Sequence, residues 1–147
     1  MEQGHSKFNV GKILKVILIV VGILIICAAV FAFFKIRIDA KAALRDAKNI
    51  NMALRSADIE MYGQGRTIYD PTKKNGLADG AKTRAEQIFK SDGSYTVTSY
   101  DNSKHDLTGM TYRRGRYVVY YNKKGDKVRW DVDYIMRVYS FTDTETE

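Results

Sequence analysis

The sequence has very few of the residues that build covalent or metal-centred sites. It contains one cysteine, Cys27, and two histidines, His5 and His105. Cys27 lies inside an apolar run, so the rest of the chain can form neither an internal disulfide nor a cysteine metal site. The histidines fall on opposite sides of that run, which argues against a histidine metal cluster. Stability must come from packing, and no cofactor is expected.

Reactive constellations are equally scarce. No serine or cysteine stands in a nucleophile-elbow context, and Gly63-Gln64-Gly65 lacks the strand, the helix start and the third glycine of a dinucleotide loop. Asp131 and Asp133 fall on one side of a predicted strand, where paired-carboxylate chemistry or calcium binding is an alternative. Arg129 beside them favours an exposed, charge-balanced face. We therefore expect that the protein is not an enzyme and takes no small-molecule substrate.

Charged residues are missing from the nineteen positions Val16 to Phe34. As a helix this run would be about 28 Å long, close to the thickness of bilayer hydrocarbon. A cleaved signal peptide would have a shorter apolar region with its small residues after it rather than within it. The sequence thus predicts a short basic tail (1–15), one uncleaved transmembrane segment (16–34) in contact with lipid, and one soluble domain (35–147).

Small residues within the transmembrane segment mildly favour helix association there, because they let two backbones approach closely. These residues are Ala28, Ala29 and Ala32.

Basic residues flank the transmembrane segment on both sides, and five of them follow it closely. The positive-inside count therefore leans toward a cytoplasmic domain. Long domains, however, translocate largely regardless of charge, and a short basic tail suits a start inside the cell. We expect a single-pass protein of the cell membrane with an extracytoplasmic C-terminal domain.

Proline and glycine are both absent from 35–62, since the only proline is Pro71. The segment is predicted to be a helix that continues from the membrane. Apolar residues recur along it at alternating spacings of four and three, which places them on one face. This stripe, expected to pack on the domain's own sheet or on a neighbouring subunit, comprises Ala40, Ala43, Ala47, Ile50, Leu54, Ala57 and Met61.

The rest of the chain reads as a loop followed by strands. Gly63 and Gly65 end the helix, and 63–92 is predicted to be a loop with a short helix, Ala81 to Lys90, that packs Ala85, Ile88 and Phe89. Residues 93–141 favour about four antiparallel strands, and 142–147 a frayed polar tail. The predicted strands are Tyr95–Tyr100, Arg116–Asn122, Lys127–Tyr134 and Ile135–Phe141. The expected fold class is α+β, with the long N-terminal helix packed on a C-terminal antiparallel meander.

A formal net charge of +7 leaves basic residues available for anionic polymers. The candidates are Arg113, Arg114, Arg116, Lys123 and Lys124. In a meander the turns at 113–116 and 123–124 lie at opposite ends of a strand, roughly 17 Å apart. They form two tips rather than a groove, so weak contacts are expected and nucleic acid is a less favoured partner.

The layout resembles that of type IV pilins and pseudopilins. The resemblance is carried by the basic start, the apolar helix running into AKAALRDAKNINMALRSADIEMY (40–62), the loop and the C-terminal sheet. The family's processing site, with glutamate at the fifth position of the apolar stretch, has no counterpart after Gly4 or Gly11. The resemblance implies a structural subunit of a surface filament or of a secretion or DNA-uptake pseudopilus, with other copies or similar subunits as partners. The alternative is an anchored accessory or binding module that forms no filament.

Overall fold

A computed structural model describes residues 10–134 and 137–146. Residues 1–9 of the predicted basic tail, Ile135 and Met136 of the predicted last strand, and Glu147 lie outside the described residues. The chain divides into two compact units, Met1–Ile36 and Arg37–Glu147.

Helix α1 spans Val10–Tyr62. Within the first unit its side chains are nearly all exposed. This part is apolar enough, and the helix long enough, to cross a membrane. The helix ends where the glycines predict, because Gly65 takes the left-handed conformation (φ 71°) and the Arg66 amide turns back to the Met61 carbonyl at 3.0 Å.

A loop and one short helix follow α1. Helix α2 covers Ala81–Ile88 and begins after Gly80, which has a φ of 86°. It is two residues shorter than predicted. Ala85 is buried and Phe89 packs partly on the core, but Ile88 is exposed, so the expectation that Ile88 packs inward is wrong. Helix α2 ends at Ile88, and Phe89 has extended backbone angles. The helical spacing that predicted a shared inward face for Ile88 and Phe89 therefore does not apply to them.

Within the described residues, five strands form one antiparallel meander in sequence order. They are β1 (Ser94–Asp101), β2 (Asp106–Arg114), β3 (Tyr117–Lys124), β4 (Lys127–Tyr134) and β5 (Ser140–Thr146). Strand β3 lies in the middle of the sheet, and its sequence YVVYY directs Val119 and Tyr121 to the core, whereas Tyr120 on the other side is 40% exposed.

The sheet has one strand more than the predicted four, because β2 has a weak strand pattern. Gly109 interrupts its sequence, DLTGMTYRR. The pairing of β1 and β2 shifts register next to Gly109, and a side chain there would overlap the Ser99 hydroxyl. The glycine is thus required by a bulge and does not end the strand.

Strand β5 begins later than predicted. The segment from Thr142 to Thr146, expected to be a frayed tail, pairs with β4 from Asp131 to Lys127. Its alternating threonines are good strand formers, and Asp143 and Glu145 on the other face each contact Lys48 of α1.

The core lies between one face of the sheet and α1 from Ala40 onward. On the sheet this inner face presents large apolar side chains, including Tyr112, Val119, Tyr121, Trp130 and Val132, all buried. The predicted α+β layout, with the long N-terminal helix packed on an antiparallel meander, is confirmed.

Candidate functional site

The apolar stripe of α1 is used inside the domain. All seven stripe residues are fully buried (0% exposed): Ala40, Ala43, Ala47, Ile50, Leu54, Ala57 and Met61. Alanine at four of these positions lets the helix come close to the aromatic inner face of the sheet. This surface is therefore not available to another molecule while the domain is folded.

Ion pairs hold both flanks of the stripe to the sheet. On one side the Lys48 ammonium lies 2.7 Å from Asp143 and 2.6 Å from Glu145. On the other, Arg114 lies 2.6 Å from Asp46. Burial alone would lower the pKa of Lys48, but the hydrogen bonds and charges of the two carboxylates outweigh it and raise that pKa. Lys48 therefore stays charged and fixes the edge strand to the helix.

A buried carboxylate on α1 holds the loop. Asp58 is only 5% exposed, accepts the Tyr100 hydroxyl at 2.7 Å and accepts the Ile68 amide at 3.3 Å. Burial, followed by the hydrogen bond to Asp58, raises the pKa of Tyr100 to about 12. Burial likewise raises the pKa of Tyr95 to about 12, with a smaller contribution from the charge of Glu86.

The raised pKa values of Tyr95 and Tyr100 predict that the folded domain loses stability at high pH. Their folded pKa values lie above the ordinary value of 10.0, so their contribution is complete below pH 10 and is lost as the pH rises toward 12. The free energy of unfolding from urea titrations should fall over that range. The free energy of unfolding of Tyr95→Phe should fall less steeply and at pH 8 be at least that of the native chain, because the buried Tyr95 hydroxyl has no hydrogen-bond partner among the described residues. An identical decline in the variant would refute this assignment.

The five basic residues predicted to contact anionic polymers do not form one surface. Arg114 and Lys123 point to the inner face, where Lys123 lies 2.7 Å from Asp106. Arg113 and Lys124 are exposed on the opposite face, at opposite ends of the sheet. Arg116 follows the β2–β3 turn and donates to the Tyr134 hydroxyl at 3.0 Å.

A different group of polar side chains comes together on the solvent-facing side of β3, β4 and β5, which we call the outer face. It contains an open depression of about 770 Å3. The outer-face residues that line it are Asn122, Lys124, Lys127, Arg129, Asp131, Thr144 and Thr146; Val128 and Glu145, whose side chains belong to the inner face, line it as well.

One side of this depression is ordered by an ion pair. The Arg129 Nε and Nη2 atoms donate to the Asp131 carboxylate at 2.8 and 2.9 Å, and Thr142 donates to it at 2.6 Å. The Arg129 hydrogen bond, then that of Thr142, lowers the pKa of Asp131 against the effect of its partial burial. Arg129 is thus largely neutralised, as the sequence predicted for this face. Lys127 was not among the basic residues that the sequence predicted to contact anionic polymers. The hairpin turn between Lys124 and Lys127 could have indicated it, because such a turn places the two lysines opposite each other.

A second exposed feature lies on α1, opposite the buried stripe. Ile38, Met52 and Ile59 are 65, 66 and 76% exposed. We call these three residues the free helix face. Each is apolar, and they are spaced by seven residues or a multiple of seven. No sequence pattern singled them out, because Arg45 occupies the remaining place in the series.

The residues proposed for helix association, Ala28, Ala29 and Ala32, are exposed on α1 within the first unit. Across 10–134 and 137–146, no three histidine, cysteine or acidic side chains gather in a way that could hold a metal ion. The described histidine, His105, lies against the Tyr62 ring with 4.1 Å between ring centroids.

Comparisons with models of protein families, with curated proteins and with solved structures found no match to this chain. The protein can therefore be classified by its fold alone, as an N-terminal helix with an apolar first part whose second part packs on a five-stranded antiparallel meander.

Proposed function

We propose that the protein is a membrane-anchored, pilin-like structural subunit whose copies assemble through α1 into a surface filament or a secretion or DNA-uptake pseudopilus. The observation that carries the proposal is the free helix face. Contact with another subunit would bury these three exposed apolar side chains, which lie on one side of the helix. The buried stripe already serves the domain's own core, so it leaves this second face for contacts between subunits.

The spacing suits contact with a parallel neighbour. Each step of seven residues turns a position by about 20° around the axis of a straight helix, so Met52 lies about 40° from Ile38 and Ile59 about 20° further on, and the three share one side of the helix. Stepping back by seven from Ile38 along the sequence reaches Phe31, Leu24 and Ile17 in the apolar run. A seven-residue apolar repeat, here interrupted by Arg45, is typical of helices that associate side by side.

A shared membrane supports the same arrangement. The apolar run has the length and composition of an anchor, and copies anchored by it would lie parallel with matching residues at the same height. We infer further that the domain lies outside the cytoplasm, because a unit of this size can be exported regardless of the flanking charges. No acidic residue lies between Glu2 and Asp39, so register between subunits would rest on apolar contacts.

Chemical cross-linking of the full chain in its membrane tests the proposal. A lysine-reactive, membrane-permeable reagent should give a ladder of three or more subunits. Met52→Glu should abolish the ladder, because it places a charge in the middle of the free helix face. The matched control is Asn102→Glu, an equally charged change at an exposed position in the β1–β2 turn, which should leave the ladder intact.

Two results would contradict this proposal. A single monomeric band in the native chain would instead support an anchored accessory module. Equal ladders from Met52→Glu and the native chain would exclude the free helix face as the contact. Repeating the reaction on spheroplasts with a membrane-impermeant reagent tests the location of the domain, since a cytoplasmic domain would not react.

A further inference from the structure

We propose that one end of the domain binds the anionic phospholipid headgroups of the membrane that holds the apolar run. The principal contacts are three basic side chains on α1, Arg37, Lys41 and Arg45, which we call the basic row. The proposal rests on the membrane anchor, which is part of the proposed function. It depends neither on assembly nor on the side of the membrane on which the domain lies.

The basic row is an exposed and unpaired feature of α1. Its members are spaced by four residues, and each step of four turns a position by about 40° around the helix axis, so the three share one side. All three side chains are exposed, and none forms an ion pair with any of residues 10–134 or 137–146. The next basic residue of α1, Lys48, is by contrast held by two carboxylates of β5. The row is therefore available to anions from outside the domain.

The row begins where the apolar run ends. Arg37 follows Phe34 by three residues, so the chain keeps it within about 11 Å of the end of the run. Lys41 and Arg45 lie about 6 and 12 Å further along α1. Helical side chains tilt toward the N-terminus of their helix, which here is the end joined to the run. Because headgroups fill a layer of about 5 to 7 Å beyond the hydrocarbon, long basic side chains can reach them.

The turn between β2 and β3 adds positive charge at the same end of the domain. Arg114, the last residue of β2, lies 2.6 Å from Asp46, which directly follows Arg45 in α1. The turn is therefore placed beside the row. Arg113 and Arg116, on either side of Arg114 and the turn glycine, are both exposed there.

Acidic residues at this end do not cancel the row. Asp46 is already paired with Arg114. Asp39 lies about 160° around α1 from Arg37 and from Lys41, on the other side of the helix. Asp92 and Asp133 belong to the sheet side, in the turn before β1 and near the end of β4. Headgroup phosphates that approach the row therefore meet mainly positive charge.

The attraction should depend on distance from the membrane. The potential of an anionic surface attracts nearby basic residues and fades within a Debye length, about 8 Å at physiological salt. Arg37 should therefore contribute most and Arg45 least. The row shares a side of α1 with the free helix face, so assembly would bring the rows of neighbouring subunits together. Headgroups between the subunits would offset the repulsion of these like charges.

The experiment measures which lipid the full chain prefers in vesicles of phosphatidylcholine. Electron spin resonance compares the association of spin-labelled phosphatidylglycerol with that of spin-labelled phosphatidylcholine. The native chain should prefer phosphatidylglycerol, and Arg37→Gln/Lys41→Gln/Arg45→Gln should lower the preference about twofold or more. Part of it should remain, because Lys35 and the lysines before the run are unchanged.

The matched control is Lys104→Gln/Lys124→Gln/Lys127→Gln, which removes the same charge from exposed positions. These positions lie in turns at the opposite end of the domain, where His105 contacts Tyr62 at the end of α1. Since they are more than a Debye length from the surface, the preference should change less than about 1.2-fold. Single substitutions should lower it in the order Arg37→Gln, Lys41→Gln, Arg45→Gln, with the first having the largest effect.

Three results would overturn the proposal. They are equal association of the native chain with both lipids, an equal loss in the control triple variant, and equal losses from the three single substitutions. Flotation with vesicles of phosphatidylcholine alone tests the anchor separately, so a chain that floats without a lipid preference contradicts only this site. Met52→Glu should keep the preference, because Met52 lies about 22 Å beyond Arg37 along α1. Failure of the headgroup site and failure of assembly can thus be told apart.

Discussion

Replacing Leu54 with alanine should lower the free energy of unfolding by about 2 to 5 kcal/mol. Leu54 is fully buried between α1 and the sheet, and its truncation removes apolar contacts and leaves a cavity. Backbone atoms of a helix and a sheet cannot easily collapse into that space. Trp130, the only tryptophan, is buried against Tyr121 with 4.6 Å between ring centroids and reports the transition by fluorescence in a denaturant titration.

Ile59→Ala is the matched control. It removes a similar number of methylene groups from the same helix, but Ile59 is 76% exposed. In detergent-dispersed monomers it should change stability by less than about 0.5 kcal/mol. If the two variants lost the same stability, the helix would not be buried on the side described here.

Replacing Gly76 with alanine should lower the free energy of unfolding by about 2 to 4 kcal/mol, for two separate reasons. Gly76 has a φ of 66°, which side chains rarely adopt, and a Cβ there would overlap the carbonyl oxygen of Val97. That carbonyl belongs to β1, so relief requires either the loop or the strand to move. The loop is itself joined to β1 here, because the Val97 amide donates to the Asn75 carbonyl at 2.9 Å.

Gly80→Ala separates the two effects. Gly80 also has a positive φ, 86°, but a Cβ there would meet no atom of 10–134 or 137–146 within 4 Å. Gly80→Ala should therefore lower the free energy of unfolding only through backbone strain, by about 1 kcal/mol. Denaturant titration of both variants gives the difference, which measures how tightly the loop is packed on β1. Equal losses would mean that the overlap is relieved without cost.

The sequence predicted those parts of the fold that depend on regular spacing. The alternation of four and three along α1 identified the buried stripe, and Val128, Trp130 and Val132 identified the covered side of β4. Both patterns are local, so they are visible without knowledge of tertiary contacts.

The missed elements depend on contacts between distant residues. Gly109 breaks the pattern of β2 because a bulge forms against β1, and the charges of β5 are acceptable because Lys48 lies opposite them. Asp58 gave no signal either, since a single acidic residue in a helix usually faces solvent. The grouping of Lys124 with Lys127 depended on strand register, whereas neighbours in sequence such as Lys123 and Lys124 point to opposite faces.

The contacts of Lys48 also impose an order on folding. Its carboxylate partners lie 95 and 97 residues further along the chain, at the last strand. The helix half of the core is synthesised first, yet this flank of it can be closed only after β5 has been made. Pairing across such sequence distances is slow because loop closure must precede it. Until β5 is made this flank of the helix stays open, and a chain that lacked β5 would expose an unpaired β4 edge open to association with other chains.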